Sequence, residues 1–168
     1  QAGGLGTRLN PITLEIPKPL IPVKGQPILN HIINFLARSG VNQIAVIVRG
    51  DHEKHFSKWR NSIKGELLRN PELFVEKVPS GTFGWLRNMR AWLGHEDFIL
   101  LNGDSLFEFD INELKSHHVK TGSIATIAAI QVDDPSDYGF LAIDNQGSIT
   151  SFLEKPESRV EPAFISTG

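Results

Sequence analysis

Near the start of the chain three glycines crowd positions 3, 4 and 6, Arg8 follows, and Lys18 stands between Pro17 and Pro19. A glycine backbone can approach phosphate oxygens that side chains would hold off, and two cations can neutralise them. The chemistry this predicts is the binding of a nucleoside triphosphate. The spacing fits neither of the commoner phosphate loops. A dinucleotide fingerprint begun at Gly4 needs a glycine where Leu9 stands, and a Walker loop needs Gly-Lys-Ser/Thr, which is absent. Two ordinary turns with solvated charges are the plain alternative, but they leave the combined pattern unexplained: GGxGTRLxPxT followed by PKPL.

A second candidate lies further on. The apolar run from Asp97 to Leu101 predicts a strand that delivers Asn102, Gly103 and Asp104 at its carboxyl end, where open parallel sheets bind ligands. A hard carboxylate there suits Mg²⁺, which keeps most of its waters and takes one or two carboxylates beside phosphate oxygens. Turn capping is the usual role of a lone aspartate after a strand; the adjoining glycine and the glycine loop favour the metal. Arg8 offers a planar fork for two phosphate oxygens, and Lys18 is a point charge on a segment stiffened by its prolines. Thr7 adds a hydroxyl suited to a phosphate or to capping the turn that follows.

These motifs, in this order, resemble those of the sugar-1-phosphate nucleotidyltransferases. The resemblance runs from Gly3 to Gly168, nearly the whole chain. It implies that Ala2, Gly3, Gly4, Gly6 and Thr7 wrap the nucleotide, that Arg8 holds the departing pyrophosphate and that Lys18 contacts phosphates near the reacting centre. Asn102 to Asp104 match the metal-binding strand end. EKVPSGTFGWL, from Glu76 to Leu86, is similar to a segment that lines the base pocket, which assigns Gly81 to the base; Phe83 and Trp85 depart from it, standing where alanine is common. Tyr138-Gly139 and Glu154-Lys155-Pro156 match segments facing the sugar phosphate, with Gly139 acting through its backbone, Glu154 through its carboxylate and Lys155 through its charge. Thr167, in the terminal Ser-Thr-Gly, is a further sugar-side candidate. The implied activity transfers NMP from an NTP to a sugar 1-phosphate, giving NDP-sugar and pyrophosphate, with Mg²⁺ as cofactor. Guanylyl or thymidylyl transfer is slightly favoured, with a mannose-, heptose- or glucose-type acceptor. A catalytically silent regulatory subunit, or a relative with a non-sugar phosphate acceptor, is the alternative. The silent subunit predicts lost cations or a lost carboxylate, yet Arg8, Lys18 and Asp104 are present.

Composition bounds the rest. The 168 residues carry a net charge of -2, so an extended nucleic-acid surface is not expected. No cysteine is present, which excludes disulfides and thiolate metal sites. No apolar run reaches the roughly 18 residues of a membrane span, and a cytoplasmic setting is expected. The resemblance leaves room for a homo-oligomer of the full-length protein. None of the six histidines stands at metal-site spacing with a third ligand, and Lys54, Lys58, Arg60 and Lys64 suit a solvated face.

The elements that must position these residues are legible in outline. Apolar residues at helical spacing predict a helix from Pro27 to Ser39 ended by Gly40. Gln43 to Arg49 predicts a buried parallel strand, His52 to Trp59 a short helix, Glu72 to Val78 a strand and Gly81 to Leu93 a helix closed by Gly94. Asp110 and Glu113 suggest a capping box opening a helix from Ile111 to Lys120. After Gly122 only strands are expected: Ser123 to Val132, Gly139 to Ile143, Ser148 to Leu153 and from Ala163 onward, with a turn at Asp144 to Gly147. The fold class is α/β, a doubly wound sheet followed by a mixed, partly antiparallel portion; the resemblance implies a Rossmann-like α/β/α core. One nucleotidyltransferase domain is expected, with residues 1–122 as its nucleotide-binding portion and residues 123–168 as its sugar-binding portion. Since no strand precedes the glycine loop and the chain stops soon after the apolar approach from Ala163 to Ile165, it reads as a fragment incomplete at both ends, and the resemblance implies a second metal aspartate beyond Gly168.

Overall fold

A computed structural model describes residues 1–2, 4, 6–63, 65, 67–78, 83–106, 108–133, 139–153 and 163–167. They divide into two compact units, Gln1–Phe109 and Asp110–Gly168.

The first unit begins with a turn of 3₁₀ helix at Thr7–Leu9, a single helical turn α1 (Ile12–Glu15) and a second 3₁₀ turn at Lys18–Leu20. A two-residue hairpin, β1 (Pro22–Val23) and β2 (Gln26–Pro27), reverses at Lys24 and Gly25, both at positive φ. Helix α2 (Ile28–Arg38) buries Ile28, Leu29, Ile32 and Ile33. It ends as expected: Gly40 takes φ of 82° and donates to Ala37, and Val41 donates to Leu36. This paired arrangement satisfies carbonyls the helix end would leave open.

Strand β3 (Ala45–Arg49) pairs in parallel with β4 (Glu72–Glu76), joined through helix α3 (Glu53–Ser62). Successive β3 residues point to opposite faces, and both faces are covered. Val46 and Val48 pack with Leu29 and Ile33 of α2 and with Phe56 and Trp59 of α3. Ile47 packs instead with Trp85 and with Met89 of α4 (Leu86–Leu93). Helices on both faces of parallel strands make the expected three-layer core. The one buried polar residue among those described, Asn30, accepts from the Trp59 indole at 2.8 Å.

Three expectations change here. Helix α3 extends to Ser62, and α4 is assigned only from Leu86, two of the residues expected to open it, Gly81 and Thr82, lying outside the description. The strand expected at Asp97 to Leu101 is not one. Its carboxyl end is hydrogen-bonded to Gln1: the Gln1 nitrogen donates to the Leu101 carbonyl at 2.5 Å and the Gly103 N–H donates to the Gln1 carbonyl at 2.6 Å. A strand is defined by its ladder, and Phe98, Ile99 and Leu100 belong to none among the described residues. On the other side Ala2 donates to Ile47 at 2.9 Å, so residues 1–2 sit between β3 and the run that leads to Asp104.

The second unit opens with α5 (Ile111–Thr121). The Asp110 carboxylate accepts from the Asn112 N–H at 2.8 Å, which is the cap without the reciprocal Glu113 bond of a full box. Strands β5 (Ala129–Val132), β6 (Phe140–Ile143), β7 (Ile149–Leu153) and β8 (Ala163–Ser166) form one sheet in the order β5-β8-β6-β7. Every pairing in it is antiparallel, so the expected mixed portion is antiparallel throughout its described length. The stretch from Ser123 to Ala128 joins no ladder among the described residues, and β5 is shorter than expected. The predicted turn between β6 and β7 forms: Asp144 accepts from the N–H groups of Gln146 and Ser148, and Gly147 takes φ of 83°. No helix among the described residues is long and apolar enough to cross a membrane.

Candidate active site

The first unit brings Gly6, Lys18 and Asp104 together. Gly6 takes φ of 62°, a conformation open to glycine and strained for other residues. Its surroundings are as restrictive as its backbone. A β-carbon there would lie 3.0 Å from the Thr13 methyl and 3.2 Å from the Lys18 Cβ. The Gly6 carbonyl accepts from Leu9 N–H at 2.9 Å, closing the turn that carries Arg8, and from the Thr13 hydroxyl at 3.0 Å. Arg8 is exposed and makes no ion pair among the described residues. Gly4 is exposed too, with nothing within 4 Å of a built β-carbon.

Lys18 opens a 3₁₀ turn whose backbone is held at both ends. Leu20 donates to Pro17 at 2.8 Å, Ile21 donates to Lys18 at 3.1 Å, and Pro19 is buried. From that rigid base its ammonium reaches Asp104, with Nζ 2.9 Å from Oδ2. Asp104 is presented by an equally constrained neighbour. A β-carbon on Gly103 would lie 2.9 Å from the Gln1 carbonyl and 3.0 Å from the Ala2 Cβ, so only glycine lets this loop close on residues 1–2. Ala2, 2% exposed, belongs to the core cluster of β3 and α2, which ties the start of the glycine loop to the sheet.

The lysine and aspartate side chains are 32% and 31% exposed. At that exposure an ion pair adds roughly 0.2–1 kcal/mol to stability. Its significance is positional: a cation and a carboxylate suited to phosphates and to a divalent metal stand side by side. Among the described residues no group of three His, Asp or Glu could hold a metal ion. A single hard carboxylate still fits magnesium, whose remaining positions are filled by water and substrate phosphate oxygens. The Ser105 hydroxyl donates to Asp104 Oδ1 at 3.5 Å.

The structure thus brings together Ala2, Gly6, Lys18 and Asp104, with Thr7 and Arg8 in the turn that follows Gly6. Gly3, Gly81, Glu154 and Lys155 lie outside the described residues, as do Tyr138, Pro156 and Gly168. Gly139 directly precedes β6, and the Thr167 hydroxyl donates to the Ala128 carbonyl at 3.0 Å; both belong to the second unit. Of the two departing aromatics, Trp85 is core, 3% exposed at the head of α4, whereas Phe83 is 58% exposed. Phe83 lines a cleft of about 720 Å³ beyond the carboxyl end of β4, opposite Glu76 and Lys77 and beside Arg87 and Asn88. Sequence reasoning passed over Thr13. Its signal was available, as the last residue of the loop pattern, but its role depends on a contact back to Gly6.

Comparison with known proteins finds similarity over nearly the whole chain. The family model for nucleotidyl transferases matches residues 2–168. The chain is 36% identical over 163 residues to the mannose-1-phosphate guanylyltransferase catalytic subunit beta of Drosophila melanogaster, covering 94% of this chain and 43% of that protein. It is 36% identical over 158 residues to the mannose-1-phosphate guanyltransferase of Debaryomyces hansenii, covering 92% and 43%. It therefore spans less than half the length of these curated relatives. The crystal structure of HddC from Yersinia pseudotuberculosis complexed with GMP-PN superposes with a TM-score of 0.80 at 28% identity, covering 99% of this chain and 71% of that one.

Proposed function

Because the chain belongs to the nucleotidyl transferase family, we propose that it carries the nucleotide-binding and catalytic machinery of a sugar-1-phosphate nucleotidyltransferase. The observation that carries this reading is the Lys18–Asp104 pair, 2.9 Å apart and packed against the glycine loop through Gly6 and the Lys18 stem. An oxygen of the sugar 1-phosphate attacks the α-phosphorus of the NTP. The bond from that phosphorus to the bridging oxygen breaks, and pyrophosphate leaves with the bonding pair. No protein nucleophile is required. Positioning and charge neutralisation account for most of the rate.

The chain's own residues divide that work. Backbone N–H groups of Gly3, Gly4, Gly6 and Thr7 cradle the triphosphate, and Ala2, whose own N–H is held by the Ile47 carbonyl, anchors the start of that loop beside the nucleotide. Arg8, exposed and without an ion pair among the described residues, takes the departing pyrophosphate. Lys18 neutralises oxygens at the reacting phosphorus. Asp104 would hold magnesium, which supplies charge neutralisation on phosphate oxygens when bound. Gly81 contacts the base; the cleft beside Phe83, in the same segment, supports that placement. Gly139, Glu154, Lys155 and Thr167 face the sugar phosphate.

Guanine as the base, with a mannose-type acceptor, is supported by the names of the Drosophila and Debaryomyces relatives and by the GMP-PN complex of HddC. Magnesium dependence, a cytoplasmic setting and any homo-oligomer belong to the same proposal and rest on the family resemblance. The test is pyrophosphate release by the full-length protein, crossing the nucleoside triphosphates with a panel of sugar 1-phosphates, with and without Mg²⁺. GTP with mannose 1-phosphate is expected to be turned over. No release from any pair refutes the proposal.

A further inference from the structure

The tail of the loop motif, Asn10-Pro11-Ile12-Thr13, contacts no phosphate in the scheme above, yet it turns back onto the loop. The Thr13 hydroxyl lies 3.0 Å from the Gly6 carbonyl oxygen and 2.8 Å from Asn10 Oδ1. A hydroxyl has one hydrogen, and a carbonyl only accepts. Both contacts are satisfied together in one arrangement: Asn10 turns its NH₂ toward the threonine oxygen, and the threonine proton goes to Gly6. Amide oxygen and nitrogen are interchangeable in shape, so the network decides between them.

Gly6 is where this relay acts on the cations. Its carbonyl also accepts from Leu9 at 2.9 Å, which closes the turn bearing Arg8. Its α-carbon is wedged between the Thr13 methyl and the Lys18 Cβ, at 3.0 Å and 3.2 Å from a built β-carbon. A shift of Gly6 therefore moves the Arg8 turn and the Lys18 stem together. We propose that Thr13 is a positioning residue for nucleotide binding: its hydroxyl, oriented by Asn10, pins the Gly6 carbonyl and so sets the spacing of Arg8 and Lys18 around the triphosphate.

This inference rests on the proposed nucleotide site, so its test reads binding as well as turnover. In the full-length protein, Thr13→Val keeps the shape and removes the hydroxyl, whereas Thr13→Ser keeps the hydroxyl and removes the methyl. GTP affinity measured calorimetrically in EDTA, without turnover, is expected to fall roughly three- to tenfold in Thr13→Val, the range one net hydrogen bond supplies. Thr13→Ser is expected to recover to within about twofold of wild type. In turnover the KM for GTP should rise with the same ranking, and the KM for the sugar 1-phosphate should not move. Should Thr13→Val fail to fold, Asn10→Ala removes the orienting partner and should weaken GTP binding in the same direction.

Thr13→Val binding GTP as tightly as wild type overturns the inference. So does Thr13→Ser falling as far as Thr13→Val, which would show that the hydroxyl by itself does not restore binding. A wild-type protein that binds GTP but releases no pyrophosphate would refute the proposed reaction, while the affinity ranking of the variants still decides the role of Thr13.

Discussion

The ammonium of Lys18 and the carboxylate of Asp104 stand 2.9 Å apart, though one follows the glycine loop and the other ends a distant apolar run. Each is delivered by backbone with little freedom. Lys18 rests on a turn anchored by buried Pro19, and Asp104 follows Gly103, which has no room for a side chain against Gln1 and Ala2. A pair held this way is organised by the fold, since its own attraction is screened at one-third exposure.

Lys18→Ala should therefore separate activity from stability. Losing a cation at the reacting phosphorus is expected to slow pyrophosphate release by about 100-fold or more, whereas the melting temperature should change little, the pair adding roughly 1 kcal/mol at most. Wild-type turnover in this variant would remove Lys18 from the mechanism.

The same pair predicts competition between cations. Lys18 takes an oxygen of Asp104 that a divalent ion would use, so Lys18→Gln should tighten Mn²⁺ binding several-fold, the effect of removing an adjacent like charge. Asp104→Asn should weaken it. Electron paramagnetic resonance of free Mn²⁺ measures both, and equal affinity in all three proteins would show that Asp104 does not hold the metal.

Two glycines should respond oppositely to alanine. At Gly103 the new methyl meets the Gln1 carbonyl at 2.9 Å and Ala2 at 3.0 Å, so Gly103→Ala should cost about 1–3 kcal/mol by overpacking. At Gly4 nothing lies within 4 Å, and Gly4→Ala should leave the melting temperature unchanged while weakening GTP binding through the phosphate cradle. Thermal unfolding of both variants checks the contrast. Equal destabilisation would contradict the packing at Gly103.

Arg49 and Asp51 allow a test by pH. Two hydrogen bonds, at 2.8 and 3.1 Å, join the guanidinium to the carboxylate, and they hold the Asp51 carboxyl below its ordinary value. A depressed acid stabilises the fold above its unfolded pKa, and that contribution is lost as pH falls through the folded value. It is therefore complete at neutral pH and small, since both groups are largely solvated. Carbon-detected NMR should find Asp51 titrating below a free aspartate, and Arg49→Met should return it to the ordinary range; no change between the two would contradict the pair.

Much of the architecture could be read in advance because its causes are local. The spacing of Ile28, Leu29, Ile32 and Ile33 specifies an amphipathic helix, Gly40 its end, and Asp144 with Gly147 the reversal between β6 and β7. The run ahead of Asp104 was misjudged for the opposite reason. Its apolar content favours a strand, but a ladder depends on a neighbouring strand, and among the described residues its backbone bonds go to Gln1, at Leu101 and Gly103.

By itself, the sequence determined the family and the types of residue available to it: glycines that let a backbone approach phosphates, two cations, and a carboxylate placed after an apolar run. Those follow from composition and order, which need no third dimension. Tertiary structure alone decided that Lys18 meets Asp104, that Thr13 returns to pin Gly6, and that Trp85 is core while Phe83 faces a cleft. Contacts between residues distant in sequence depend on how helices pack on the two faces of β3, and no local pattern encodes that distance.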